Sequence, residues 1–246
     1  MKLKVLNSRS EGNCYILENE ASALVIEAGV SLMEVKKALD FNISKIVGCI
    51  VTHEHGDHSK FINEFLNAGI EIRLSAGTNS QLQYTGKRFP LLTEHKNKFK
   101  LGDFQIMAFN VIHDAAEPLG FLIFHPEMGR CLFLTDTHYS PFKFPDLSQV
   151  LIECNYDQNI LDDNILNGRI PMIVRNRILE SHISLETCKE FFKANDLSKV
   201  QNIVLLHLSD GNSNAKQFKE EIQGLTGKQT FIAEKGLEIE FNERPF

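Results

Sequence analysis

The chain has 246 residues, enough for one large domain. A domain of that size buries roughly 70–75% of the surface its unfolded form exposes, so it needs no disulfides to hold a core. Its hydrophobic content of 43% is that of an ordinary globular protein, and its formal net charge of −6 excludes a strongly basic protein that coats duplexes. A nuclease stays open, because bound divalent cations supply positive charge where a phosphate sits.

In chain order, Leu3-Val5, Cys14-Leu17 and Ala23-Ile26 are short apolar runs separated by turn residues such as Ser10-Glu11-Gly12-Asn13, and they predict strands. Ser31 is a cap for a helix through Leu39, with Leu32, Val35 and Leu39 on one face. Ile46 to Val51 predicts a buried strand, and Ser59 to Ala68 a helix with Phe61, Ile62, Phe65 and Leu66 inward. Strands are expected at Phe104–Val111, Gly120–His125, Cys131–Thr135 and Val150–Glu153. Helices are expected over Ser184–Ala194 and Ser213–Leu225, with strands at Asn202–His207 and Leu237–Phe241. No linker or repeat divides this mixed α/β pattern, so a single domain is expected over residues 1–246.

The chemistry-bearing residues collect where apolar runs stop. His53-Glu-His-Gly-Asp-His58 places three imidazoles and a carboxylate within six residues, directly after a predicted strand. Imidazole and carboxylate suit zinc, manganese or iron. His53 and His55, two apart, can reach one metal; Asp57 and His58 can reach a second, with Gly56 allowing a tight turn. One loop cannot complete two metal sites. His113, Asp136 and His207 each follow an apolar run and, with the cluster, are read as further ligands. Asp57 is also a candidate catalytic carboxylate.

Basic residues cluster locally at Lys96-Lys98-Lys100 and at Arg169, Arg175 and Arg177, and Arg is well shaped for phosphate. Arg175 and Arg177 are candidate substrate contacts. The five scattered cysteines, Cys14, Cys49, Cys131, Cys154 and Cys188, contain no CxxC pair and read as reduced core thiols. Met1 to Ser10 lacks the apolar core of a signal peptide, and no stretch approaches the ~20 apolar residues of a membrane span. A cytoplasmic location, with no membrane partner, is expected.

HxHxDH, a later His, a later Asp and a last His, in that order, resemble the metallo-β-lactamase superfamily of hydrolases across nearly the whole chain. The stretches Ser8-Arg-Ser-Glu-Gly-Asn-Cys14, His113-Asp-Ala-Ala-Glu-Pro118, Asp136-Thr-His-Tyr139, His182-Ile-Ser-Leu-Glu186 and Leu206-His-Leu-Ser-Asp-Gly-Asn212 resemble its YycJ/WalJ-like branch, relatives of the RNase Z and PhnP phosphodiesterases. The resemblance implies a four-layer αββα sandwich with the site at one sheet edge. It implies that His53, His55 and His113 bind one metal, Asp57, His58 and His207 a second, and that Asp136 bridges them. Two zinc ions, or manganese or iron, are the cofactors it implies. They would lower the pKa of a shared water towards ~7.

His182 matches a position where phosphodiesterase relatives keep a histidine near the scissile phosphate, which makes it a candidate proton donor; a residue merely preceding the helix at Ser184 is the alternative. Glu27 stands where the family has an Asp that braces the ligand loops, and His138 where the branch often has Gly. His138 is therefore either a surface side chain or a substrate contact. The expected activity is metal-dependent phosphodiester hydrolysis of nucleic acid, of exonuclease type. Cyclic-nucleotide hydrolysis, thioester hydrolysis of glyoxalase type, and a non-enzymatic metal-binding scaffold are the alternatives.

Overall fold

The computed structural model describes residues 1–243. Its first sheet is built from β1 (Lys2–Arg9), β2 (Gly12–Glu18), β3 (Ala23–Ile26), β4 (Ile46–Ile50), β5 (Ile72–Leu74) and β6 (Leu91–Leu92). The second is built from β7 (Lys98–Leu101), β8 (Phe104–Asn110), β9 (Leu119–His125), β10 (Gly129–Leu134), β11 (Leu147–Glu153), β12 (Asn202–Leu206) and β13 (Gln229–Ile232). β14 (Glu238–Glu240) returns to the first sheet beside β1. The strand orders are β14-β1-β2-β3-β4-β5-β6 and β13-β12-β11-β10-β9-β8-β7.

The helices are α1 (Leu32–Ala38), α2 (Gly56–Ser59), α3 (Ile62–Asn67), α4 (Ala76–Gln81), α5 (Gln158–Leu166), α6 (Met172–Ser181), α7 (Leu185–Ala194) and α8 (Ala215–Thr226). Alternation along the strands sorts side chains into three apolar layers. Leu3, Tyr15, Ile26, Phe121, Phe133 and Val204 fill the space between the sheets. Val25, Cys49 and Val51 turn outward on the first sheet, under Val35 of α1 and Phe65 of α3. Leu132, Ile152 and Ile203 turn outward on the second, under Cys188 of α7 and Phe218 of α8. The result is the expected four-layer αββα sandwich. All five cysteines are free and buried, and no helix is long and apolar enough to cross a membrane.

Strand direction decides where the site forms. β3 and β4 are parallel, as are β10, β11 and β12. β8 and β10 are each antiparallel to β9, so β8 shares their direction. The C-terminal ends of these strands therefore meet along one edge of the sandwich, and loops held there are positioned by rigid sheets.

The main departure from the sequence expectation is the helix predicted over Ser59–Ala68. Helix begins earlier, at Gly56, which puts Asp57 and His58 in its first turn. It breaks at Phe61, whose amide donates to the carbonyl of Ala28 instead of continuing the helix. Gly56 also lacks the role expected of it: a side chain there would meet nothing within 4 Å. The tight approach is at Gly29, where an added Cβ would lie 1.8 Å from the carbonyl oxygen of Asp57. The helices α5 and α6 escape sequence reading because much of their apolar surface, including Leu166, Met172 and Ile173, faces outward. Periodicity has little to mark there.

Phe121 is fully buried between the sheets, whereas Leu166 is 83% exposed. Phe121→Ala should lose about 3–5 kcal/mol of unfolding free energy in urea titration, and Leu166→Ala should stay within about 0.5 kcal/mol of the parent.

Candidate metal centre

The β4 strand ends at Ile50, and the next residues deliver Thr52, His53 and His55 to the sheet edge. His53 is buried, and its Nε2 lies 3.0 Å from His55 Nδ1; His113 Nε2 lies 3.2 Å from the same atom. Three imidazoles gain little from such crowding. Ligand atoms around a tetrahedral metal, each about 2.0–2.1 Å from it, sit about 3.3 Å apart. The spacing fits a metal donor set.

A second set lies alongside. His58 Nε2 is 2.7 Å from Asp136 Oδ2 and 3.2 Å from Asp57 Oδ2, and His207 Nε2 is 3.4 Å from Asp57 Oδ2. His207 Nε2 is buried and makes no hydrogen bond, an orphaned lone pair or proton that a cation would engage. His53, His58 and Asp136 also converge, so Asp136 stands between the two sets. The seven residues singled out from the sequence as ligands are thus drawn together from four separate segments, and their donor atoms could hold divalent metal.

The electrostatics agree with that chemistry. Burial, then the charge of His58, depresses the pKa of His53, which favours the neutral imidazole that a metal needs. Burial opposes ionisation of Asp57, but the neighbouring His207 and His58 outweigh it and hold the carboxyl well below its usual range. Burial opposes charge on His207 as well; Asp136, Asp57 and Glu153 outweigh it and push its pKa up to about 9. Protons there stand in the cluster where bound cations would balance the same carboxylates.

Glu27 is fully buried with Oε1 2.6 Å from Thr52 Oγ1 and 3.3 Å from His58 Nδ1, while Oε2 accepts from the Thr52 amide at 3.2 Å. Thr52 Oγ1 in turn lies 2.9 Å from His53 Nδ1. The longer side chain therefore reaches both ends of the His53–His58 loop, the bracing expected of the family's shorter Asp. Glu27, Asp136 and His207 all have left-handed backbone, with φ of 68°, 44° and 51°. Such backbone costs about 1–3 kcal/mol per non-glycine residue and here is held by the packed sheet ends.

His182 is held by its Nδ1, 2.6 Å from Glu153 Oε1 and 3.2 Å from Asp136 Oδ1. Burial opposes its charging, but Glu153 and Asp136 push the pKa up to about 10. Glu153, fully buried at the end of β11, also faces His207 Nδ1 at 3.3 Å and accepts from the amide of Ile183. Sequence reading missed it as a site residue, although it ends an apolar run just as Asp136 and His207 do. Two other acids were missed. Glu54 accepts from the amide of Ala116 at 2.7 Å and faces Thr78 Oγ1, and Glu117 accepts from the amide of Gly77 at 2.7 Å. They tie the His53–His58 loop, the His113 loop and α4 together. Asn13 donates to Asp57 Oδ2 at 3.0 Å, inside a stretch the sequence had marked.

Three candidate substrate residues lie outside the cluster. Arg175 is bound through Nε and Nη2 to Asp162 of α5, each at 3.0 Å. Arg177 is largely exposed and donates to Asp114, next to His113, at 2.9 Å. His138 is exposed, with its ring edge-on to Tyr139. Removing the Glu27 carboxylate takes the acceptor from Thr52 and the counter-charge from His58 together. Glu27→Ala should weaken metal affinity about 10–100-fold in chelator competition.

Residues 8–153 match the metallo-β-lactamase superfamily. Exodeoxyribonuclease YycJ of Bacillus anthracis is 26% identical over 97% of this chain and 94% of its own length. Among solved structures, YhfI of Bacillus subtilis has a TM-score of 0.71 at 15% identity, covering 97% of this chain and 99% of its own. The short form of human tRNase Z has a TM-score of 0.63 at 16% identity, covering 98% and 99%. The family match takes in β4, the whole HxHxDH loop, His113 and Asp136, and the fold likeness extends over the remaining strands and helices. With the donor atoms gathered at the expected sheet edge, the chain belongs to the metallo-β-lactamase superfamily of hydrolases.

Proposed function

We propose that this protein is a dinuclear metal-dependent phosphodiesterase acting on nucleic acid. The observation that carries the reading is the joint arrangement of seven metal-type donors with His182, whose Nδ1 is fixed by Glu153 and Asp136. His53, His55 and His113 would hold one ion, Asp57, His58 and His207 the other, and Asp136 would lie between them. Zinc suits these donors, and manganese and iron are compatible with them. A bound pair supplies an acidified water and neutralises charge on phosphate oxygens.

The protein's own groups supply the rest. Glu153 orients His182 and stabilises its protonated ring, so the ring keeps a proton to give at neutral pH. With Nδ1 engaged, Nε2 is the nitrogen left to deliver that proton to the leaving oxygen of a diester. Asn13 and Glu27 keep Asp57 and His58 in place. The name of the YycJ relative, an exodeoxyribonuclease, supports a nucleic-acid substrate and cleavage from an end.

Protein loaded with zinc or manganese should bind two ions per chain by elemental analysis and cleave bis(p-nitrophenyl) phosphate, with activity lost on chelation. A panel of DNA, RNA and cyclic nucleotides then ranks the substrates. Thioester cleavage without diester cleavage would overturn the reading. His182→Ala should lower turnover about 10²–10⁴-fold with metal content unchanged; loss of a metal in that variant would make His182 a ligand.

A further inference from the structure

The helices α7 and α8 cover only part of the outer face of the second sheet, over β10, β11 and β12. Beyond them the outward side chains of β7, β8 and β9 stay open. They line a groove of about 420 Å³ that includes Lys98, Lys100, Met107, Leu122, Phe124 and Arg130. Register explains the pattern. Lys98 pairs with Met107 and Lys100 with Gln105, while Met107 pairs with Leu122 and Gln105 with Phe124. Each row across the sheet thus runs from a lysine at the edge to an apolar side chain further in.

The charge here is uncompensated in an otherwise acidic protein. Some lysines elsewhere are neutralised: Lys4 and Lys45 share Glu18, and Lys189 lies between Glu186 and Glu221. Among the described residues, Lys98 and Lys100 have no acidic partner. Arg130 has only a long contact to Asp146, at 3.5 Å, and that acid is already paired with Lys199.

The groove lies along β8 and β10, whose C-terminal ends lead into the loops of His113 and Asp136. The segment from Tyr139 to Pro145 starts three residues beyond Asp136 and crosses the outer face of the sheet. On one side of it, a pocket of about 290 Å³ opens between Tyr139, Phe142, Lys143 and α7. On the other, Pro145 lines the groove, and its carbonyl accepts from Arg130 at 3.1 Å. Along β8, the groove spans from about 10 to about 17 Å beyond Asn110, the end nearest the site.

We infer that this groove binds single-stranded nucleic acid, holding the strand whose end lies at the metal centre. Phosphates would meet Lys98, Lys100 and Arg130, and unpaired bases would rest on Phe124, Leu122 and Met107. A single strand offers both surfaces at once, whereas a duplex hides its base faces. The inference rests on the phosphodiesterase reading for its substrate and explains how a chain of net charge −6 holds a polyanion.

The test is fluorescence anisotropy of a labelled 12-nucleotide single strand with metal-free and metal-loaded full-length protein, beside turnover of bis(p-nitrophenyl) phosphate. The double variant Lys98→Glu/Lys100→Glu should bind the strand at least tenfold more weakly. Its log–log salt slope should fall by about 1.4, the loss of two phosphate contacts. Small-diester turnover should stay within twofold, which also reports an intact fold, and Phe124→Ala should weaken binding without changing the salt slope. Unchanged strand binding in the double variant would overturn the groove while leaving the phosphodiesterase reading standing. So would duplex bound as tightly as single strand, or a chain dimer in sedimentation that the variant dissolves. Strand binding that depends on both lysines, without diester turnover by the loaded protein, would support the groove and sink the activity.

Discussion

Glu27, Asp136 and Glu153 are almost fully excluded from solvent at one edge of the sandwich. A buried carboxylate without compensation costs several kcal/mol. Each is compensated by groups from other strands: Thr52 and His58 on Glu27, His58 and His182 on Asp136, His182, His207 and the amide of Ile183 on Glu153. The imidazoles cannot leave without stranding a charge, and the carboxylates fix the imidazoles. This mutual dependence ties the two sheets together at the site and holds backbone in left-handed conformations that isolated loops would shed.

The same arrangement makes the site a place for cations. Several carboxylates in a small volume favour positive charge, and against burial they raise the pKa values of His58, His182 and His207. Divalent ions satisfy that demand with a fixed geometry. Glu54 and Glu117 act one layer out. By accepting from backbone amides they hold the His53–His58 and His113 loops against α4, so His113 meets His55 although 58 residues separate them.

Much of the fold could be read from residue patterns where those patterns were strong. Ser31 and Ser184 cap α1 and α7 as their sequence context requires, through side chains that accept from Glu34 and Thr187. The long strands β8 to β12 follow from apolar runs of strand length. The short ones did not: β5 and β6 have three and two residues, too few to show a period. The alternation Lys98-Phe-Lys-Leu101 was visible as a basic cluster, and its meaning as an edge strand required partners on β8.

The sequence by itself determined the chemistry: three imidazoles and a carboxylate in six residues, followed by acids and histidines wherever apolar runs stop. Ligand chemistry is a property of side-chain type and local spacing, and both are written in the chain. Tertiary structure alone decided which nitrogen of each ring faces which oxygen, that His207 Nε2 turns to Asp57 while His182 Nδ1 turns to Glu153, and that Glu153 belongs to the site at all. Those choices depend on parallel strand ends meeting at one edge and on the need to pair every buried charge. Contacts spanning 29 to 150 residues carry them, and no local pattern encodes such contacts.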